Sequence, residues 1–223
     1  MTCKPCRDFY RKDWDKRAFT VGFFGPPGSG KTSIIHDVCK VLNEKHNICV
    51  VTNDAYTQED ADYLVTKGAL PKEKVRSVIV EGCPMAVMNK DIEVNLKEIR
   101  SLTEQHHPDI ILLESAGDCL ASYFSRDLVD YAILVIDVAG GHKLIHKRIE
   151  GNNHSELLII NKIDLAEAVG INMEDFKMEV IMTRMDRGLL FTSTKNKKDM
   201  KHVAESIMYS WRNHTQQIPP QCP

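Results

Sequence analysis

The stretch Phe19-Thr20-Val21-Gly22-Phe23-Phe24-Gly25-Pro26-Pro27-Gly28-Ser29-Gly30-Lys31-Thr32-Ser33-Ile34-Ile35 sets the fold class. An apolar run ends in a glycine-rich turn, and a helical pattern follows at once. Residues 25–32 match G-x-x-x-x-G-K-[ST] at every fixed position. Glycines there let successive backbone N–H groups wrap a chain of phosphates. Gly25, Gly28, Ser29, Gly30 and Ser33 are expected to cradle phosphate. Lys31 would reach the outer phosphates as a point charge, and the Thr32 hydroxyl would hold Mg²⁺. The start of the following helix adds its positive dipole end.

Outward from this loop, short apolar runs alternate with helical patterns. The runs are 19–25, 48–52, 75–80, 109–114, 131–137, 157–161 and 189–192. Most are nearly continuous rather than alternating, which suits strands covered on both faces. Helices are expected near 31–45, 57–67, 86–105, 173–185 and 197–213. The alternation predicts a P-loop α/β fold: one domain with a doubly wound, mostly parallel sheet. Residues 1–17 read as a flexible arm, 18–213 as the domain and 214–223 as a tail. The polar stretch 140–153 reads as a long loop or mobile segment.

A chain of 223 residues can bury a full core without disulfides. With 29 basic against 31 acidic side chains, no general basic field for nucleic acid is expected. No apolar run reaches the roughly 18 residues of a membrane span, and the first residues lack a signal-peptide core. The seven cysteines are odd in number and read as reduced thiols, which places the chain in the cytosol. Cys39 and Cys49 read as core.

Asn161-Lys162-Ile163-Asp164 closes the run Leu157–Ile160 and matches the N-K-x-D guanine motif. A carboxylate at Asp164 can accept both N–H donors of a guanine edge, which adenine lacks. GTP is therefore favoured over ATP. Phe191-Thr192-Ser193-Thr194-Lys195 also follows a strand, and Ser193 is the candidate for packing near the base. Asp54 and Glu114, each at the end of an apolar run, are the carboxylate candidates for Mg²⁺ and catalysis beside Lys31 and Thr32. Gly117 could meet the γ-phosphate with its N–H. No glutamine stands where it would orient the attacking water, so intrinsic hydrolysis is expected to be slow.

These pieces, with Thr52-Asn53-Asp54-Ala55-Tyr56-Thr57-Gln58-Glu59-Asp60, Glu81-Gly82-Cys83-Pro84, Glu114-Ser115-Ala116-Gly117-Asp118 and Val135-Ile136-Asp137, resemble the urease accessory GTPase (UreG) family. The likeness runs in order from about residue 20 to about 210. Its relatives are the hydrogenase maturation (HypB) and cobalamin-linked GTPases of the SIMIBI class. The resemblance implies GTP- and Mg²⁺-dependent dimerisation. It also implies work with other accessory proteins and delivery of a metal, usually nickel, to an apo-metalloenzyme.

The chain departs from that pattern at the metal motif. The family's Cys-Pro-His reads Cys83-Pro84-Met85 here. In a two-fold dimer the family motif supplies two Cys and two His; here it leaves two thiolates. Met85 would add a soft, weak thioether, better suited to Cu⁺ than to Ni²⁺. Cys119, close in sequence to Gly117, could join a rebuilt site. Ni²⁺ or Zn²⁺ is the expected cargo, with Cu⁺ behind them. Cys3 and Cys6 form half of a tetrahedral zinc set in the arm, or nothing. His142, His146 and His154 read as a solvated loop. The family likeness gives Asp91 and Asn95 a structural or interface role.

Three alternatives stay open. One is a hydrogenase-type nickel GTPase. Another is a relative that has lost metal delivery and works as a GTP-regulated binding protein. The third is a small-molecule P-loop kinase, against which Asn161–Asp164 and the lack of an Arg-rich lid both speak.

Overall fold

The computed structural model describes residues 13, 16–54, 57–80, 88, 92–117, 123–140 and 150–215. Seven strands form one sheet: β1 (Phe19–Phe24), β2 (Ile48–Asp54), β3 (Val75–Ile79), β4 (Ile110–Glu114), β5 (Tyr131–Asp137), β6 (Leu157–Asn161) and β7 (Gly188–Phe191). Their spatial order is β3-β2-β4-β1-β5-β6-β7, and every pairing is parallel. The helices are α1 (Lys31–Leu42), α2 (Glu59–Thr66), α3 (Glu93–His106), α4 (Glu150–His154), α5 (Met173–Arg184) and α6 (Met200–Thr215). This is the doubly wound sheet that the apolar runs predict, and β1, β4, β6 and the body of β2 are buried along their length.

Strand alternation divides the core. Val21 and Phe23 of β1 face α1 and α6, with Ile34, Val38, Val203 and Ile207. Leu113 and Ile136 face the other way, toward Leu96 and Ile99 of α3 and Phe176 and Val180 of α5. Both faces of a parallel sheet must be covered, and the β-α crossovers supply the cover. Cys39 and Cys49 lie fully in this core as free thiols. Burial pushes the Cys49 thiol up to about 11 and Cys39 further in the same direction, so both are unreactive.

Three local expectations change. Arg17, read as part of the arm, is buried: it donates to the Leu128 carbonyl at 2.8 Å and pairs with Asp130 at 3.1 Å. Residues 150–154, read as loop, form α4, because Arg184 and Arg187 donate to the Asn152 and Asn153 carbonyls that a helix end leaves open. Helix α6 runs two residues past its expected end. His106 and His107 do close α3, with His107 in the left-handed region and its N–H on the Thr103 carbonyl. Among the described residues no helix is long and apolar enough to cross a membrane.

Candidate nucleotide site

The chain leaves β1 toward β2 on one side of the sheet and crosses to β5 on the other. A crevice therefore opens at the carboxyl end of β1, where such folds bind ligands. Gly25 sits there with φ +141, and a Cβ would come within 2.0 Å of the Val135 carbonyl oxygen. Only glycine lets the loop turn this close to β5. Gly30 caps α1 with φ +95, and a Cβ there would meet Asn161 Nδ2 at 2.4 Å.

The crevice holds about 420 Å³, lined by the phosphate loop, Thr32, Ser33, Asp60, Glu114, Gly117 and Lys162. Lys31 lies almost wholly buried, its Nζ donating to the carbonyls of Gly25 (3.1 Å) and Pro26 (3.2 Å). Thr32 Oγ1 is 2.7 Å from Glu114 Oε1 and 2.9 Å from Asp60 Oδ1. A hydroxyl has one proton to give. Thr32 can therefore donate to only one of the two carboxyl groups at a time, Glu114 being the nearer. The burial of Glu114, helped by the nearby Asp60 charge and opposed by Lys31 and the Thr32 hydrogen bond, raises its pKa to about 8.

The carboxyl ends of the strands carry more buried polar groups. Asn53 Nδ2 donates to the Glu114 carbonyl at 3.0 Å and ties β2 to β4. Ser29 Oγ, Asn53 Oδ1, Glu114 Oε2 and Ser115 Oγ are buried without a hydrogen-bond partner among the described residues. Unsatisfied polar atoms gathered at one crevice fit a ligand that is itself polar. Among the described residues no group of three or more His, Cys, Asp or Glu side chains forms a cation cage. Mg²⁺ takes one or two carboxylates with waters and phosphate oxygens, and Thr32, Glu114 and Asp60 lie together as such a donor set.

The base side is joined to the phosphate side. Asn161 Nδ2 donates to the Ser29 carbonyl at 3.0 Å, and Lys162 Nζ donates to the Gly28 carbonyl. Thr192 Oγ1 donates to Asn161 Oδ1 at 3.0 Å. Ser193 Oγ donates to Asp164 Oδ1 and fixes that carboxylate at the end of β6.

The structure thus brings together Gly25, Gly28, Ser29, Gly30, Lys31, Thr32, Ser33, Glu114, Gly117, Asn161 and Lys162, with Asp164 and Ser193 beside them. Asp54 ends β2 and accepts from Thr57 Oγ1 at 2.6 Å, and the second carboxylate that reaches Thr32, beside Glu114, is Asp60. Asp60 escapes a reading by strand ends because it sits in the first turn of α2, where acids also serve the helix dipole. Asn53 and Ser115 escape it too, since nothing marks a polar residue just past an apolar run as buried at the site. Cys83, Met85, Cys119, Asp91, Cys3, Cys6, His142 and His146 lie outside the described residues. Asn95 is buried in α3, and His154 stacks on Tyr123 with centroids 4.0 Å apart rather than lying in solvent.

Residues 19–189 match the CobW/HypB/UreG nucleotide-binding domain. The chain belongs to the CobW/HypB/UreG family. It is 40% identical to urease accessory protein UreG 1 of Streptomyces griseus over 201 residues, covering 90% of this chain and 86% of that protein. Among solved structures it is similar to HypB from Helicobacter pylori in complex with nickel (TM-score 0.72, 18% identity, 90% of each chain covered). The hydrogenase maturation factor HypB of Archaeoglobus fulgidus is similar as well (TM-score 0.70, 19% identity, 88% of this chain and 92% of that one). At those identities the structural likeness speaks for the fold.

Proposed function

We propose that this chain is a slow GTPase and metallochaperone of the urease-accessory type. It binds GTP with Mg²⁺, dimerises in that state, and hands a metal, nickel first among the candidates, to an apo-metalloenzyme in the cytosol. The observation that carries the nucleotide half is the coupling of the two motifs. Asn161 and Lys162 hold carbonyls of the phosphate loop while Asp164 is fixed by Ser193 at the base end.

In this reading the loop amides and Lys31 bind the phosphates, and Lys31 exchanges its carbonyl partners for phosphate oxygens. Thr32 and Glu114, with Asp60 or Asp54, would hold Mg²⁺. Bound there, the ion supplies positive charge to the β- and γ-phosphate oxygens. Gly117 meets the γ-phosphate, and its order is passed to the segments that follow β2 and β4. Asp164 selects guanine. The metal half is supported by the relationship to the urease accessory protein of S. griseus. Cys83, with Met85 and Cys119 as candidates, would hold the cargo. Met85 in place of the family histidine favours one second reading, a GTP-regulated binding protein without metal delivery.

Native mass spectrometry tests the proposal. Protein loaded with Mg²⁺ and a non-hydrolysable GTP analogue is titrated with Ni²⁺, Zn²⁺ and, under reducing conditions, Cu⁺. The expected result is a dimer holding one metal, lost in Cys83→Ala. A nucleotide-bound monomer without metal overturns the delivery role and leaves the second reading. Tighter binding of ATP than GTP, or no loss of GTP affinity in Asp164→Ala, overturns the nucleotide assignment.

A further inference from the structure

Helix α5 carries apolar residues on two faces. Phe176 and Val180 are buried in the core beneath it. On the outside, Met178, Ile181 and Met182 are 56, 49 and 71% exposed, and Met185 at its end is 81% exposed. Spacings of three, four and seven residues put these four on one stripe. Single exposed apolar residues are ordinary, whereas a continuous stripe marks a contact surface.

The charges around the stripe are sorted. Arg184 is buried, and the two exposed cations of this region, Lys177 and Arg187, each have a partner on the protein's own body. Lys177 Nζ lies 5.7 Å above the Phe191 ring. Arg184 is buried on the carbonyls of Asn152, Glu156 and Gly188, and Arg187 reaches those of Asn152 and Asn153. The acids Glu174, Asp175 and Asp186 are exposed. The outer face is therefore an apolar stripe with an acidic border.

We propose that this face of α5 docks a basic amphipathic helix of a partner protein. A helix with apolar residues at i, i+3, i+4 and i+7 would lie along the stripe, and its flanking Lys or Arg would meet the acidic border. Three methionines make the surface adaptable, since an unbranched thioether repacks easily against varied partners. A second copy of this chain fits less well: it would gather two sets of Glu174, Asp175 and Asp186 around one seam while Lys177 and Arg187 stay engaged elsewhere. An anionic membrane surface would be repelled by the same acids.

The test uses the full chain and a fluorescent 14-residue peptide of Leu and Lys patterned as an amphipathic helix, read by anisotropy. Binding is expected in the micromolar range. It should weaken at least tenfold in Met178→Glu/Met182→Glu and severalfold in Asp175→Lys/Asp186→Lys. All four positions are exposed, so thermal melting should stay close to wild type, with a small drop from Asp175→Lys in the first turn of α5, and report intact folding. A Leu/Glu peptide of the same pattern should not bind. The proposal is overturned if the peptide binds wild type and the methionine variant alike, or if the Leu/Glu peptide binds as well. It is also overturned if sedimentation shows a nucleotide-free dimer that Met182→Glu breaks, which would assign the face to a second copy.

Discussion

Thr32 Oγ1 lies 2.7 Å from Glu114 Oε1, joining the first turn of α1 to the end of β4 across 82 positions of sequence. The contact holds together the hydroxyl and the carboxyl proposed to share Mg²⁺. It also leaves a buried acid with one oxygen unsatisfied. A buried charge without a full set of partners costs more than a buried neutral carboxyl, so burial shifts Glu114 toward its protonated form.

That proton gives the nucleotide-free protein a pH dependence. The folded-state pKa of Glu114 is raised from 4.5 to about 8. The folded state therefore binds a proton that the unfolded chain has already lost. The contribution is fully present below about pH 4.5 and disappears as pH rises through about 8. Melting curves should show stability falling over that window, by on the order of 5 kcal/mol from this group. Glu114→Gln should flatten the slope, while losing the Mg²⁺-dependent part of nucleotide affinity.

Gly30→Ala should damage both halves of the site. The new Cβ would stand 2.4 Å from Asn161 Nδ2 on a residue with φ +95. Asn161 would have to leave the Ser29 carbonyl. A loss of about 2–4 kcal/mol in stability is expected from strain and the broken bond. GTP affinity, measured by calorimetry, should fall at least a hundredfold.

Ser193→Ala should act on the base alone. Ser193 Oγ holds Asp164 Oδ1, and one such bond contributes about 0.5–1.5 kcal/mol. GTP affinity should drop roughly three- to tenfold by that measure. Melting temperature and the weak affinity for ATP should hardly change.

Arg184→Met should be the severe change far from the nucleotide. The guanidinium is buried and donates to the carbonyls of Asn152, Ser155, Glu156 and Gly188, joining α4, β6 and β7. Removing it strands several carbonyls, at a cost of about 3–5 kcal/mol. For a chain of this length that lowers the melting temperature by about 10 °C, readable by calorimetry.

The sequence by itself determined the sheet, the phosphate loop and the guanine motif. Each is a local pattern: an apolar run long enough for a buried strand, glycines where backbone must approach an anion, a carboxylate at a strand end. Both ends of all seven strands and most helix limits are legible to within about two residues for that reason. Tertiary structure added the second acid at Thr32, because α2 carries Asp60 back across the crevice to join Glu114 while Asp54 accepts from Thr57. It also decided that Arg17 is core and that residues 150–154 are helix. Their partners lie 28–113 positions away, and no local pattern records a hydrogen bond made over that distance. The outward stripe of α5 is the same case in reverse. Only the sheet shows which face of that helix it covers and which it leaves outside.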